Sequence, residues 1–321
     1  MKEIKIREAV VPGDYIGWRL DKVLPILFEP YSRTQLQEWL QAGRLMIEGE
    51  IPSKRQVVEG GERIFLSIPV VTTQNWQSQY LPLNIVYKDQ DIAVIDKPAG
   101  LVVHPGSGNP DSTLANAILH YFPENQFLIR AGIVHRLDKG TTGLLVVART
   151  EVARQRLIKD LESRIIKRQY LALVYGVPIA GRTLDSSIGR HPRDRRRMTV
   201  SDKGKPAVTH FRLEKHYRFH SLLRIDLETG RTHQIRVHLA DARLPIVGDP
   251  VYGGRLRIPR GADAELTTLL RNFNRQALHA TEISLIHPKT GNQLSWKSSL
   301  PEDFHSLVMA LERHEKANER Y

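Results

Sequence analysis

Cysteine is absent from the 321-residue chain. Its absence excludes disulfides, zinc ribbons, iron–sulfur clusters and thiol nucleophiles together. No uninterrupted apolar run approaches the roughly 20 residues needed to cross a bilayer, so no membrane partner is expected. The start, Met1 to Glu8, mixes charge signs and lacks an apolar stretch, which does not read as a secretory signal and makes the cytoplasm the expected compartment. Acidic residues are in shortfall: 35 Asp and Glu face 47 Lys and Arg, a formal charge of +12. Such a surplus points first to a polyanionic partner. What is present is ordinary for a globular protein, with 41% hydrophobic residues and 26% charged. At roughly 150 residues per domain the length allows about two domains.

A first module spans residues 15–69. Leu20, Val23, Leu24 and Leu27 recur at helical spacing, and Phe28 to Tyr31 break the run. Ser32 is placed to cap a second helix over Arg33–Leu40, with Gly43 as its C-terminal stop. Leu45–Ile47, Gln56–Val58 and Arg63–Leu66 read as short strands between Gly-containing turns. Arg19-Leu20-Asp21-Lys22-Val23-Leu24, Ser32-Arg33 and Gly43-Arg44-Leu45 resemble the small RNA-binding domain named after ribosomal protein S-four. That resemblance implies RNA contacts for Arg33 and Arg44. A solvated basic helix face explains the same residues on local pattern alone.

Residues 70–80 are polar, uncharged and aperiodic and read as a linker, with Trp76 available to dock it. From residue 81 to 321 the texture changes to many short β-like runs, among them Ile85–Tyr87, Ile92–Ile95, Leu144–Ala148, Tyr170–Val174 and Leu222–Leu227. Helices are expected over Ser112–Phe122, Glu151–Ser163 and Glu302–Arg320. Strands adjacent in sequence with only occasional helices predict an α+β domain built on a mixed or antiparallel sheet, not a doubly wound one.

Three segments crowd polar residues between apolar runs. In Gly132-Ile133-Val134-His135-Arg136-Leu137-Asp138-Lys139-Gly140-Thr141-Thr142-Gly143, a carboxylate stands between cations, which favour its ionised form. Taken alone, a turn completed by Gly140 accounts for Asp138 better than a ligand contact does. In Ile166 to Ala172, Tyr170 opens a strand beside Lys167 and Arg168, where core packing is the plainer reading. In Glu228 to Leu239, Thr232 is placed to cap a helix that carries Arg236. His233 and His238 are five apart and fall on different faces, so no metal pair is expected.

Together the three segments resemble, in order and separation, the motifs of pseudouridine synthases of the RluA type. The resemblance rests on His135 to Asp138 with Thr141 to Gly143, on Lys167 to Ala172, and on Thr229 to His238 with Gly248-Asp249. It implies isomerisation of uridine to pseudouridine in RNA: the glycosidic bond breaks, the base rotates, and ring carbon 5 bonds the sugar. Nothing is gained or lost, so no cofactor and no metal are expected.

By this resemblance Asp138 attacks the anomeric carbon or abstracts a sugar proton. Arg236 orients it through a bidentate pairing. Tyr170 stacks on the uracil and accepts the proton from ring carbon 5. Arg136 holds the place of the extruded base, since a stacked nucleotide hides its glycosidic bond. Ile246 and Val247 wall the base pocket, and His135, Thr142 and Arg231 join the RNA-contacting set. The closest pattern is that of family members acting on the helix 69 stem-loop of large-subunit ribosomal RNA, which becomes the implied partner, met in pre-ribosomal particles by a monomer. Arg190 to Arg197, with Arg195, Arg196 and Arg197 at its end, is then expected to clamp phosphates. A noncatalytic RNA-binding assembly factor, or a synthase for another ribosomal or transfer RNA site, is the alternative. A glycoside hydrolase is disfavoured because no second acid stands out near Asp138.

Overall fold

A computed structural model of the chain describes residues 4–29, 31, 33–53, 55–69, 76–106 and 108–318. It divides into two compact units, Met1–Asn75 with Gln126–Ile129, and Trp76–Asn125 with Arg130–Tyr321. The first unit contains β1 (Ile4–Val10), α1 (Leu20–Leu27), α2 (Arg33–Gln41), β2 (Leu45–Ile47) and β3 (Arg63–Pro69). Leu20, Val23 and Leu24 of α1 and Leu36 and Leu40 of α2 close on Ile64 and Leu66 of β3, forming a small core. The sheet order is β1-β3-β2, all antiparallel. Two expectations change here. Gln56–Val58 forms no ladder strand and makes only an isolated bridge, Val57 to Arg19. The third strand is instead β1, whose alternating charged residues hide its role on an edge. Ser32, expected as a cap, lies outside the described residues, as do residues 70–75 of the expected linker.

The second unit contains β4 (Asn84–Lys88), β5 (Ile92–Lys97), α3 (Leu114–Tyr121), β6 (Thr142–Ala148), α4 (Glu151–Glu162) and β7 (Lys167–Tyr175). It continues through β8 (Arg182–Asp185), β9 (Ile188–Arg190), β10 (Met198–Val200), β11 (Val208–His216), β12 (His220–Leu227), α5 (Gln234–Asp241), α6 (Ala264–Asn272), β13 (Leu278–Ile286), β14 (Gln293–Lys297) and α7 (Glu302–Asn318). Among the described residues, nine strands form one mixed sheet, ordered β4-β5-β6-β13-β7-β12-β11-β8 with β14 beside β13, and only β6 and β13 run parallel. The α+β class expected from the strand pattern is therefore the class observed.

Strand alternation builds two cores on the two faces. Ala93, Ile95, Leu145 and Val147 face the larger one, which α3, α5, α6 and α7 cover with Ile118, Leu239, Leu270 and Phe304. Ile92, Val94, Leu144 and Val146 face the other, closed by Ala153 and Leu157 of α4. Every residue of β6 is buried, as a strand covered on both faces requires. Trp76 packs on the larger core, its ring 5.8 Å from that of His104.

At the parallel crossing, Gly143 has φ +107°, and a Cβ there would lie 2.2 Å from the Ala280 carbonyl oxygen. Only glycine lets β13 approach β6 so closely. Gly143→Ala is expected to destabilise the protein by about 1–3 kcal/mol. That loss would lower the melting temperature by roughly 2–4 °C for each kcal/mol. An unchanged thermal melt would show that the crossing tolerates a side chain.

Candidate active site

The segment before β6 carries Asp138, and its carbonyls are fastened one after another. The Asp138 carbonyl accepts from Thr141 N at 3.0 Å, that of Lys139 from Gly100 N at 2.8 Å, and that of Gly140 from Arg275 Nη1 at 3.1 Å. Lys97 is fully buried beneath and donates to the carbonyls of Pro98, Leu101 and Lys139. Burial pushes its ammonium down to about 7, against the opposing charge of Asp138. The local turn that the sequence favoured is real, and it serves to hold the carboxylate still.

Asp138 meets Arg236 of α5. Arg236 Nη1 donates to Asp138 Oδ2 at 2.9 Å. The bidentate face of the guanidinium goes elsewhere: Nε and Nη2 donate to the two oxygens of Asp249 at 2.7 and 2.8 Å. The expected pairing is thus present as a single bond, and a second carboxylate takes the fork. Asp249 stood in the sequence only as part of a motif block, with no role assigned to its carboxylate. It has no exposed side-chain surface, and its Oδ1 also accepts from Val251 N and Tyr252 N. Burial opposes its charge, yet Arg236 and the two backbone donors hold its pKa below the usual carboxylate value. Burial likewise opposes the charge on Arg236, and its two carboxylates more than compensate. Buried and ionised, Asp249 cannot act as the proton-donating partner of a glycosidase pair.

Asp138 Oδ1, the oxygen that Arg236 does not bond, lies 3.9 Å from His233 Nε2, beyond hydrogen-bond length. His233 is the residue that caps α5, in a left-handed conformation at φ 57°, so the expected cap at Thr232 is displaced by one position. Its Nδ1 is 2.9 Å from the Tyr252 hydroxyl, which also accepts from Met198 N at 2.8 Å. Burial, foremost, lowers the His233 pKa. Gln234 locks the preceding turn, accepting from Thr229 Oγ1 and Arg231 N and donating to Val208 O. His238 is turned inward to Thr209 and the Ser186 carbonyl, away from His233.

Asp138, His233, Gln234 and Arg236 line a cleft of about 560 Å³, with six arginines (Arg130, Arg136, Arg164, Arg168, Arg231 and Arg236) and three carboxylates (Asp138, Glu162 and Glu228) in its walls. A basic concave wall of this size suits a nucleotide within a polyanion. Arg136 is exposed in it. Arg231 is exposed too, with its Nε on the Pro206 carbonyl at 3.1 Å. Tyr170 is 4% exposed and lines the same cleft, and burial raises its pKa.

Other expected site residues sit differently. Ile246 and Val247 are fully buried in the larger core and do not line the cleft. Thr142 is buried with its hydroxyl 2.8 Å from His279 Nδ1, a packing role. His135 lines the cleft but receives Val146 N on Nε2 at 3.0 Å. In the first unit, Arg33 and Arg19 are both held by the buried carboxylate of Asp21 with about half their side-chain surface exposed. Arg44 is half-buried.

The basic run Arg190 to Arg197 joins β9 to β10 as a hairpin turn. Arg195 and Arg196 are exposed, but Arg197 folds inward over the Tyr252 ring at 5.4 Å. Replacing Arg195 and Arg196 together with glutamine is expected to weaken RNA binding and reduce its log–log salt slope by about 0.7–0.9 per residue. Titrations at several salt concentrations would measure this, and an unchanged slope would remove the pair from the RNA surface. Arg197→Gln should change the slope little.

Among the described residues one cluster has metal-ligand composition: Asp89, Asp91 and His287. His287 Nδ1 accepts from Lys289 N and Thr290 N, so Nε2 carries the proton that it gives to Asp89 at 2.9 Å. Asp89 also accepts from Tyr87 Oη, Asp91 N and Ile92 N. With these lone pairs spent, the cluster braces the β4–β5 turn. No described helix is long and apolar enough to cross a membrane.

Residues 91–241 match the model of the RNA pseudouridylate synthase family. The chain belongs to that family. It is 49% identical over 306 residues to Ribosomal large subunit pseudouridine synthase D of Xanthomonas campestris pv. campestris, covering 95% of this chain and 92% of the relative. It is 48% identical over 301 residues to the protein of the same name from Escherichia coli K12, covering 94% and 92%. Among solved structures, Human RNA Pseudouridylate Synthase Domain Containing 4 aligns with a TM-score of 0.55 at 24% identity, covering 71% of this chain and 93% of that one. Human RNA Pseudouridylate Synthase Domain Containing 1 aligns with a TM-score of 0.51 at 25% identity, covering 72% and 95%. The chain is therefore a pseudouridine synthase, with the fold of those proteins.

Proposed function

We propose that this enzyme isomerises uridines of the helix 69 stem-loop in large-subunit ribosomal RNA to pseudouridine, with Asp138 as the reacting carboxylate. The observation that carries the chemistry is the Asp138–Arg236–Asp249 bridge in an arginine-lined cleft. Asp249 satisfies the fork of Arg236, so the remaining Nη1 fixes one oxygen of Asp138 and leaves Oδ1 free towards the cleft. That oxygen attacks the anomeric carbon or takes a sugar proton as the N1–C1′ bond breaks. The C5–C1′ bond then forms as the bond between Asp138 and C1′ breaks, or as the abstracted sugar proton is returned; C5 gives up its proton and N1 gains one, so atoms and charge balance.

Tyr170 stacks on the uracil, and Arg136 fills the space left in the RNA when the base is extruded, at a cost of a few kcal/mol in lost stacking. The first unit acts as an RNA-binding module with Arg33 and Arg44 on its contact surface, and residues 81–321 carry catalysis. The enzyme works as a cytoplasmic monomer on pre-ribosomal particles. The choice of large-subunit ribosomal RNA rests on the named relatives and their near full-length coverage; the choice of helix 69 within it rests on the resemblance of the sequence motifs.

The test is a map of pseudouridine in ribosomal RNA from a strain lacking the gene and from the same strain carrying it. Modification restored at the helix 69 uridines is expected. Restoration elsewhere but at none of those uridines would overturn the choice of substrate.

A further inference from the structure

Three lysine or arginine side chains are less than 9% exposed among the described residues: Lys97, Arg168 and Arg236. Lys97 has three carbonyls and Arg236 two carboxylates. Arg168, at 8% exposure, has no side-chain hydrogen bond or ion pair to any described residue, and its Nε is buried without a partner. The acids around the same cleft do not serve it: Asp138 pairs with Arg236, Glu228 with Arg164 and His210, and Glu162 is exposed. A guanidinium drawn out of water with no anion beside it is destabilising, and an arriving anion removes that penalty.

The surroundings are built to hold it there. Arg168 and Tyr170 are alternate residues of β7, both on its buried face and both lining the cleft. Their spacing along the strand is about 6.6 Å, a span comparable with that between a base and its own phosphate. A Cβ on Gly230 would lie 2.9 Å from Arg168 Nη1, so the glycine makes room for the guanidinium. Beside it stands a second orphan donor. Val146 N occupies His135 Nε2, which puts the ring proton on Nδ1, where it is buried with no acceptor. The ring is neutral because burial, helped by the charge of Arg168, pushes its pKa down to about 3.

We propose that Arg168 is the receptor for a phosphodiester group flanking the extruded uridine, with His135 Nδ1–H as a second donor. A uracil carbonyl would satisfy a hydrogen bond but would leave the buried charge uncompensated; a phosphate does both. The group anchors the backbone of the flipped nucleotide so that its anomeric carbon rests at Asp138. This inference rests on the reading of the cleft as a uridine site.

The experiment is single-turnover kinetics on a helix 69 stem-loop RNA carrying a neutral methylphosphonate at one or the other phosphate beside the target uridine. Wild type, Arg168→Gln and Arg168→Lys are compared. Neutralising one of the two phosphates should slow wild type roughly 10–100-fold, and Arg168→Gln should lose a similar factor on unmodified RNA. Combined, the two changes should cost no more than either alone, since both remove the same contact. Arg168→Lys should recover part of the rate, and neither variant should melt below wild type. Losses that multiply at both phosphates, or a lower melting temperature for Arg168→Gln, would overturn the proposal. If wild type forms no pseudouridine in the unmodified stem-loop, the substrate reading fails instead.

Discussion

Asp138→Asn is expected to yield a folded protein that binds RNA and forms no detectable pseudouridine. The carboxamide matches the carboxylate in size, and its oxygen can still accept from Arg236 Nη1, the bond that fixes Oδ2 at 2.9 Å in the wild type. What it lacks is the second charged oxygen facing the cleft. An amide neither attacks an electron-poor anomeric carbon nor takes a sugar proton at neutral pH, so the rate should fall on the order of 10⁴-fold or more. Stability should hardly move. Arg236 keeps the two bonds to Asp249, so its buried charge stays compensated, and the carbonyls of Asp138, Lys139 and Gly140 keep their donors. Mass-spectrometric quantification of pseudouridine, with a thermal melt on the same preparation, separates the two effects. More than about 1% residual turnover with a normal melt would assign the chemistry to another group.

Much of this site was legible in the sequence because its motifs are local. Asp138, Arg136, Tyr170 and Arg236 each stand in a short block with a recognisable pattern, and the cleft gathers all four. What was not legible depends on partners distant in sequence. Asp249 sits 13 residues beyond Arg236, and nothing in Gly248-Asp249-Pro250 reveals that the carboxylate turns inward to take the fork. Arg168 reads as a strand cation beside Tyr170; only the fold shows that it is buried unpaired. The reverse error has the same origin. Ile246 and Val247 look like pocket walls in a motif-rich stretch, but their backbones join Val174 and Leu173, which draws both side chains into the core.

The fold follows the same rule. The apolar strands β5, β6, β7 and β12 announce themselves by composition. The edge strand β1 mixes charged with apolar residues, β8 is four residues with one apolar side chain, and β9 and β10 are only three residues each, so pairing defines them more than propensity does.

Asp249 gives the second large effect, in stability and activity together. In Asp249→Asn the volume is kept, but Arg236 faces a neutral amide in a buried position. Breaking a buried ion pair by removing one partner costs about 3–5 kcal/mol, which corresponds to a fall of roughly 6–20 °C in melting temperature. The pH dependence identifies the cause. The folded-state pKa of Asp249 is lowered, so its contribution is fully present above the unfolded value and is lost as pH falls through the folded one. The stability gap between wild type and variant should therefore be constant from about pH 5 to 8 and close steadily below about pH 4. A gap that persists unchanged into acid would mean that the loss is steric and not electrostatic. Turnover should fall roughly 10²-fold, because an arginine freed on one side no longer holds the Asp138 carboxylate in register with the substrate. Arg236→Lys should reproduce the loss of turnover while keeping the charge: a single ammonium cannot span two carboxylates that the wild-type guanidinium bridges through three separate hydrogen bonds.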